Sequence, residues 1–263
     1  MIINVGGNET FVATGGQAFD PKKPTVVFVH GSGLDHRCWA LQSRWFAFHG
    51  YSVFAPDFPG HSLSKGEPLL SIEEMGEWLV EALVVAGVES IHLVGHSMGF
   101  LIVLESASLL GDRLKTITAV ASAAAIPVNE ELISTAETSA TNAADLMLRW
   151  GFGSHTQLGS SAVPGMQPIA IGRQIMSDNP LAIDLKACRD YSAGKSRAES
   201  LSYPANVILA DEDKMTPCNF GLELASSLNA NVSTIKNSGH MLPMESPKRT
   251  LDAIKSFVIK NSN

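Results

Sequence analysis

The residues of this 263-residue chain best suited to chemistry are a serine framed by glycines, Gly95-His96-Ser97-Met98-Gly99, and a histidine in a polar turn, His240 in SGHMLPMESP. The apolar run IHLV before Gly95 reads as a buried strand, and the residues after Ser97 as the start of a helix. A sharp strand-to-helix turn there stands the serine oxygen at the sheet edge and strains its backbone. Glycines two residues to either side remove Cβ atoms that would clash where strand and helix pack. A serine hydroxyl attacks an acyl carbon only with a base in hydrogen-bond reach and a carboxylate to orient that base. Of the eight histidines, His240 falls between the last short strand and the last helix, where its ring can reach across a sheet edge. The turn after the preceding strand, in VILADEDKMTP, offers Asp211, Glu212 and Asp213 as the orienting acid. The residues alone leave that choice open.

Such a constellation needs a rigid sheet beneath it. Runs rich in Val, Ile and Leu at 25–30, 52–55, 90–95, 114–121, 205–211 and 231–235 lack polar alternation, which predicts strands buried on both faces of a parallel sheet. Helical patterns lie between them. In SIEEMGEWLVEALVVAG, Ser71 and Glu74 have capping-box spacing, and Ile72, Met75, Leu79, Leu83 and Ala86 form one apolar stripe. Ser246 and Pro247 read as N-cap and first residue of a final helix striped by Leu251, Ile254 and Val258. The segments IINV and ETFVAT around Gly6 and Gly7 predict an antiparallel hairpin at the sheet edge. The strand-helix rhythm breaks between Pro127 and Tyr203. A stretch of that length is too long for a plain loop, so it is expected to carry its own helices.

Composition limits the partners. A formal charge of −7, from 19 basic and 26 acidic residues, gives no basic surface for nucleic acid or anionic lipid. Cys38, Cys188 and Cys218 are odd in number and widely spaced, so neither a disulfide framework nor a zinc site is implied. The first residues show no export signal and no apolar run suits a membrane span, so a cytoplasmic location is expected.

Taken together, these motifs resemble the α/β-hydrolase family along nearly the whole chain. HGSG (30–33) is similar to its oxyanion loop, DFPGHSLS (57–64) to its D-x-x-G-x-G-x-S turn, and the order Ser97, acid, His240 to its catalytic order. The resemblance implies a mostly parallel eight-stranded sheet with helices on both faces. Its core would be residues 1–126 and 204–263, with residues 127–203 inserted as a helical cap. It also selects Asp213 as the acid, because the family's acid stands four residues before a proline, here Pro217. It implies an oxyanion hole made by the backbone N–H groups of Met98 and Ser32, the latter in preference to Gly33. Two departures stand out: Ser62 replaces a glycine of the D-x-x-G-x-G-x-S turn, and Phe100 follows the elbow where a small residue is usual.

The expected activity is hydrolysis of small-to-medium, largely apolar carboxylic esters through an acyl-enzyme, without cofactor or metal. Carbon–carbon bond hydrolysis and cofactor-free haloperoxidase chemistry can use the same three residues. A ligand receptor on a hydrolase scaffold is the alternative of another class. His30 is read as a buttress of the oxyanion loop, and His96 as pointing away from the reaction. His92 and His96 straddle a strand-to-turn transition, and no Glu follows His92, which removes a zinc-protease reading. His36 stands where a dinucleotide fingerprint needs its third glycine. Met147, Leu148, Trp150, Phe152, Leu158, Met166, Ile169, Ile171, Ile175 and Met176 supply apolar surface to the insertion, most of it expected to form the insertion's own core. Trp39 and Trp45 are expected to pack helix against sheet.

Overall fold

The computed structural model describes residues 1–262. Among them, eight strands form one sheet: β1 (Ile2–Val5), β2 (Asn8–Ala13), β3 (Thr25–Val29), β4 (Ser52–Pro56), β5 (Ile91–His96), β6 (Leu114–Val120), β7 (Ala205–Ala210) and β8 (Asn231–Ile235). Their spatial order is β1-β2-β4-β3-β5-β6-β7-β8. β1 and β2 make the antiparallel edge hairpin and β2 runs antiparallel to β4, while all pairings from β4 to β8 are parallel.

Helices α1 (Ala40–Ala47), α2 (Ile72–Val85) and α3 (Met98–Leu110) belong to the first half of the chain. Six helices then lie between β6 and β7: α4 (Glu130–Thr138), α5 (Ala140–Gly151), α6 (Ser154–Gln157), α7 (Pro168–Asp178), α8 (Leu181–Asp190) and α9 (Gly194–Ser200). The chain closes with α10 (Cys218–Leu228), α11 (Leu242–Glu245) and α12 (Pro247–Lys260). Because strand side chains alternate, β3 sends Val27 and Val29 into one core with Leu79 and Leu83 of α2 and Leu101 and Leu104 of α3. It sends Val26 and Phe28 into a second core with Phe46 of α1 and Ile254 and Val258 of α12. Every residue of β3, β4 and β5 is buried, which is why the sequence shows no alternation there.

The local signals have local outcomes. Ser71 Oγ accepts the Glu74 N–H at 3.1 Å, but the Glu74 carboxylate reaches the amide of Leu70, one residue before the N-cap. Ser246 occupies the N-cap position of α12 without capping it. Its hydroxyl is shared instead with Ser238 Oγ at 2.6 Å and Arg249 Nη2 at 2.8 Å. Phe100 is fully buried in the α2/α3 core, and Trp39 packs on Phe28 with ring centroids 5.0 Å apart. Trp45 lies half-buried on α1, stacked on His49.

Candidate active site

Ser97 joins β5 to α3 with φ 53° and ψ −124°, outside the regions that an L-residue adopts freely. Neighbouring strands hold it there. Its N–H donates to the Val120 carbonyl of β6 at 3.1 Å, and its carbonyl accepts the Ser122 hydroxyl at 2.8 Å. A Cβ on Gly95 would stand 2.5 Å from the Gly99 carbonyl oxygen, and one on Gly99 would press into the carbonyl of Val29. The two glycines are thus what lets α3 begin against β5 and β3.

Asp213 and His240 follow β7 and β8 and meet at 2.9 Å, His240 Nδ1–H donating to Asp213 Oδ2. The carboxylate also accepts the N–H groups of Met215 (2.8 Å) and Thr216 (2.9 Å) and the Thr216 hydroxyl (2.9 Å). Burial opposes its ionisation. The His240 ring and the Thr216 hydrogen bonds outweigh that and hold Asp213 below the usual carboxylate range. With Nδ1 committed to Asp213, His240 Nε2 is left as the acceptor. Asp211 instead lies beside Lys236, and Glu212 accepts the Ser154 N–H at 2.6 Å, so neither orients the histidine.

His96 lies behind this pair, its Nε2–H donating to the His240 carbonyl at 2.9 Å while its Nδ1 is buried without a partner among the described residues. Complete burial, aided by the adjacent His240, lowers its pKa to about 3, so the ring is neutral. Glu245 braces the same loop by accepting the Gly239 N–H at 2.7 Å and the Gly153 N–H at 2.8 Å. The Met241 N–H donates to the Gly151 carbonyl at 3.1 Å, which ties the histidine loop to the end of α5. Neither link is announced by a motif.

The loop after β3 turns through Gly31–Leu34, closed by the Leu34 N–H on the Gly31 carbonyl at 3.0 Å. His30 Nδ1 lies 3.0 Å from the Gly31 carbonyl, consistent with a buttress. The Gly33 N–H donates to Asp184 Oδ2 at 2.7 Å and is used up. The N–H groups of Ser32 and Met98 have no acceptor among the described residues. Met98 N–H also opens α3, whose dipole places positive potential there.

Ser97 and Ser32 line a cavity of about 250 Å³ whose walls include Ile126, Leu132, Met147, Trp150, Leu185 and Phe220. Among the insertion's apolar residues singled out from sequence, Met147 and Trp150 reach this cavity. Leu148, Phe152, Ile175 and Met176 are buried in the second core, and Leu158 and Ile171 are exposed. Leu132 and Leu185 were missed, because each reads simply as one apolar position on an amphipathic helix. A larger cavity of about 740 Å³ between α9 and α10 contains neither Ser97 nor His240. Asp35, His36 and Asp57 are the one group of possible metal ligands gathered within 4.8 Å among the described residues. Asp35 is already paired with Arg37, and Asp57 accepts His36 Nδ1–H at 2.8 Å, so each of the three already has a partner. Cys38, Cys188 and Cys218 are free, and no helix of the described residues is long and apolar enough to cross a membrane.

A sheet of this order, an elbow serine after its fifth strand, and an acid and histidine after its seventh and eighth define an α/β-hydrolase fold. Residues 26–253 match the Alpha/beta hydrolase family, and the chain belongs to it. It is 26% identical over 268 residues to 3-oxoadipate enol-lactonase 1 of Acinetobacter baylyi, covering 98% of this chain and 96% of that protein. The enol-lactonase from Burkholderia xenovorans LB400 superposes with a TM-score of 0.86 at 20% identity, over 98% of this chain and 100% of that one. A thermophilic esterase from Thermogutta terrifontis superposes with a TM-score of 0.83 at 21% identity, over 100% and 99%.

Proposed function

We propose that the protein is a serine-dependent carboxylic ester hydrolase with Ser97 as nucleophile, His240 as base, Asp213 as orienter, and the Ser32 and Met98 amides as oxyanion hole. The observation that carries this reading is a serine strained to φ 53° in the wall of an apolar cavity, on a sheet edge shared with a carboxylate-bound histidine. His240 Nε2 takes the Ser97 proton as Oγ attacks the carbonyl carbon, and Asp213 stabilises the imidazolium that forms. The tetrahedral oxygen is stabilised by two N–H groups that have no other acceptor among the described residues. His240 returns the proton to the leaving alcohol, leaving an acyl-Ser97. A water deprotonated by the same ring then releases the acid.

The helical insertion acts as a cap that sizes the acyl group. At about 250 Å³ the cavity is below the roughly 300–1,000 Å³ of sites for drug-sized ligands, which favours short acyl chains. The similarity to an enol-lactonase adds lactones, which are cyclic esters, to the substrates worth assaying. The test is turnover of p-nitrophenyl esters of increasing chain length by wild type and Ser97→Ala, with mass spectrometry of the enzyme quenched during the burst. A mass increase of one acyl group that vanishes in Ser97→Ala is expected; full turnover by Ser97→Ala would end the proposal.

A further inference from the structure

The junction of α7 and α8, in DNPLAID, places two polar side chains deep against the loop that carries the Ser32 amide. Asp184 is completely buried, yet it lies on a helix of the insertion, 151 residues from the Gly33 N–H that its Oδ2 accepts at 2.7 Å. The same oxygen accepts His61 Nε2–H at 3.0 Å. His61 Nδ1 faces the Pro59 carbonyl at 3.1 Å, so both ring nitrogens face acceptors, and the arrangement is that of a buried imidazolium–carboxylate pair. Burial disfavours the His61 charge, but Asp184 more than offsets this, and its pKa is raised. Asn179, also buried, holds the other side of the loop: its Nδ2 donates to the carbonyls of Gly33 (3.1 Å) and Leu34 (3.2 Å) and to Asp35 Oδ2 (3.1 Å). Its Oδ1 accepts the Ser62 N–H at 2.9 Å.

The turn so gripped has a soft degree of freedom. Gly33 is its third residue with φ 66°, while Ser32 keeps a negative φ, the pattern of a type II turn. The central peptide, Ser32 to Gly33, can rotate between type II and type I orientations with the chain ends nearly fixed. That rotation reverses the directions of the Gly33 N–H and the Ser32 carbonyl. A carboxylate facing the Gly33 N–H favours type II and repels the carbonyl that would replace it.

We propose that Asp184, seconded by Asn179, is a positioning residue of the insertion that locks the Ser32–Gly33 peptide and so steadies the turn that presents the adjoining Ser32 N–H. The turn that presents the Ser32 N–H is then held still only when α7 and α8 are seated on the core, and the insertion serves the chemistry as well as substrate choice. This rests on the ester-hydrolase reading above, so one readout is independent of turnover.

The variants are Asp184→Ala, which leaves the Gly33 N–H without an acceptor, Asp184→Asn, which keeps one, and Asn179→Ala. On p-nitrophenyl acetate, Asp184→Ala is expected to lower kcat by about 10- to 100-fold, short of the loss of a whole oxyanion donor, with KM changing less than threefold. Asp184→Asn is expected to restore kcat to within about fivefold of wild type, and Asn179→Ala to fall between. Affinity for a trifluoromethyl ketone, which forms a hemiketal oxyanion on Ser97, should fall in parallel with kcat/KM. Amide hydrogen exchange over residues 30–35 should accelerate in Asp184→Ala and stay slow in Asp184→Asn. Should Asp184→Ala not fold, exchange and kcat in Asn179→Ala decide the matter. Unchanged kcat and exchange in Asp184→Ala overturn the proposal, as does a fall in kcat that Asp184→Asn does not relieve. Absence of turnover in the wild type with the expected exchange pattern defeats the hydrolase reading and leaves the turn lock standing.

Discussion

His96 makes the acid stability of this fold predictable. Its ring is buried and neutral with a pKa of about 3, against 6.5 for an ordinary histidine. A folded value lowered in this way means that the unfolded chain takes up the proton first. Stability is therefore full above about pH 6.5 and is lost as pH falls toward the folded value. Between pH 7.5 and 5.0 the two values give a loss of about 2 kcal/mol from this side chain alone, at a limiting slope of about 1.4 kcal/mol per pH unit. His92, lowered to about 4 by burial and Lys115, acts in the same direction. His61, raised by Asp184 despite its burial, acts in the opposite one, its contribution being lost as pH rises. Asp213 titrates below this window. Comparison with His96→Gln isolates the one term, because the amide can still donate to the His240 carbonyl and has no proton to take up. Urea unfolding followed by tryptophan fluorescence at pH 7.5, 6.2 and 5.0 gives the measurement. His96→Gln should lose about 2 kcal/mol less than wild type across that range, whatever its offset at pH 7.5. Parallel losses in the two proteins would refute the reasoning, since they would mean that His96 is protonated equally in folded and unfolded chains.

Three further outcomes follow from the geometry. Asp213→Asn should cost about 10⁴-fold in kcat by holding His240 in the wrong tautomer, while Asp211→Asn costs less than about threefold; a reversed ranking on one activated ester would show that another carboxylate is the orienter. Ser62 sits at φ 46°, so Ser62→Gly should relieve a left-handed cost of about 1–2 kcal/mol against about 0.5–1 kcal/mol of glycine entropy. A thermal melt should accordingly rise by a degree or two, and a fall would show that the hydroxyl matters more than the backbone. Leu185→Trp should fill much of the cavity, so activity on butyrate and longer esters should drop at least tenfold more than on acetate; an unchanged profile would put the acyl group elsewhere.

The sheet and the elbow were legible because their signals are local. Fully apolar strands announce burial on both faces, and a glycine two residues either side of Ser97 marks a turn that other side chains would obstruct. The pairing of Asp213 with His240 was legible only through the resemblance, since three acids share that turn and their directions depend on how Met215 and Thr216 fold back. The supports of the site were not legible. Asp184, Asn179, Glu245 and Glu212 look in sequence like ordinary polar residues of helices and loops, and each acquires its role from backbone more than fifty residues away, Glu245 also from nearby Gly239. The bond from His96 to the His240 carbonyl spans 144 residues and has no periodicity to reveal it.

The order of the strands has a further consequence while the chain is being made. Ser97 and its elbow emerge before β7 and β8, the strands that Asp213 and His240 follow. The parallel pairing of β6 with β7 also has to wait for the six intervening helices, a long-range closure of the kind that forms late. On the proposed reading, a nascent chain therefore carries its serine before His240 has been made to take the proton. On that reading the hydroxyl becomes a nucleophile only when residues 205–260 have docked.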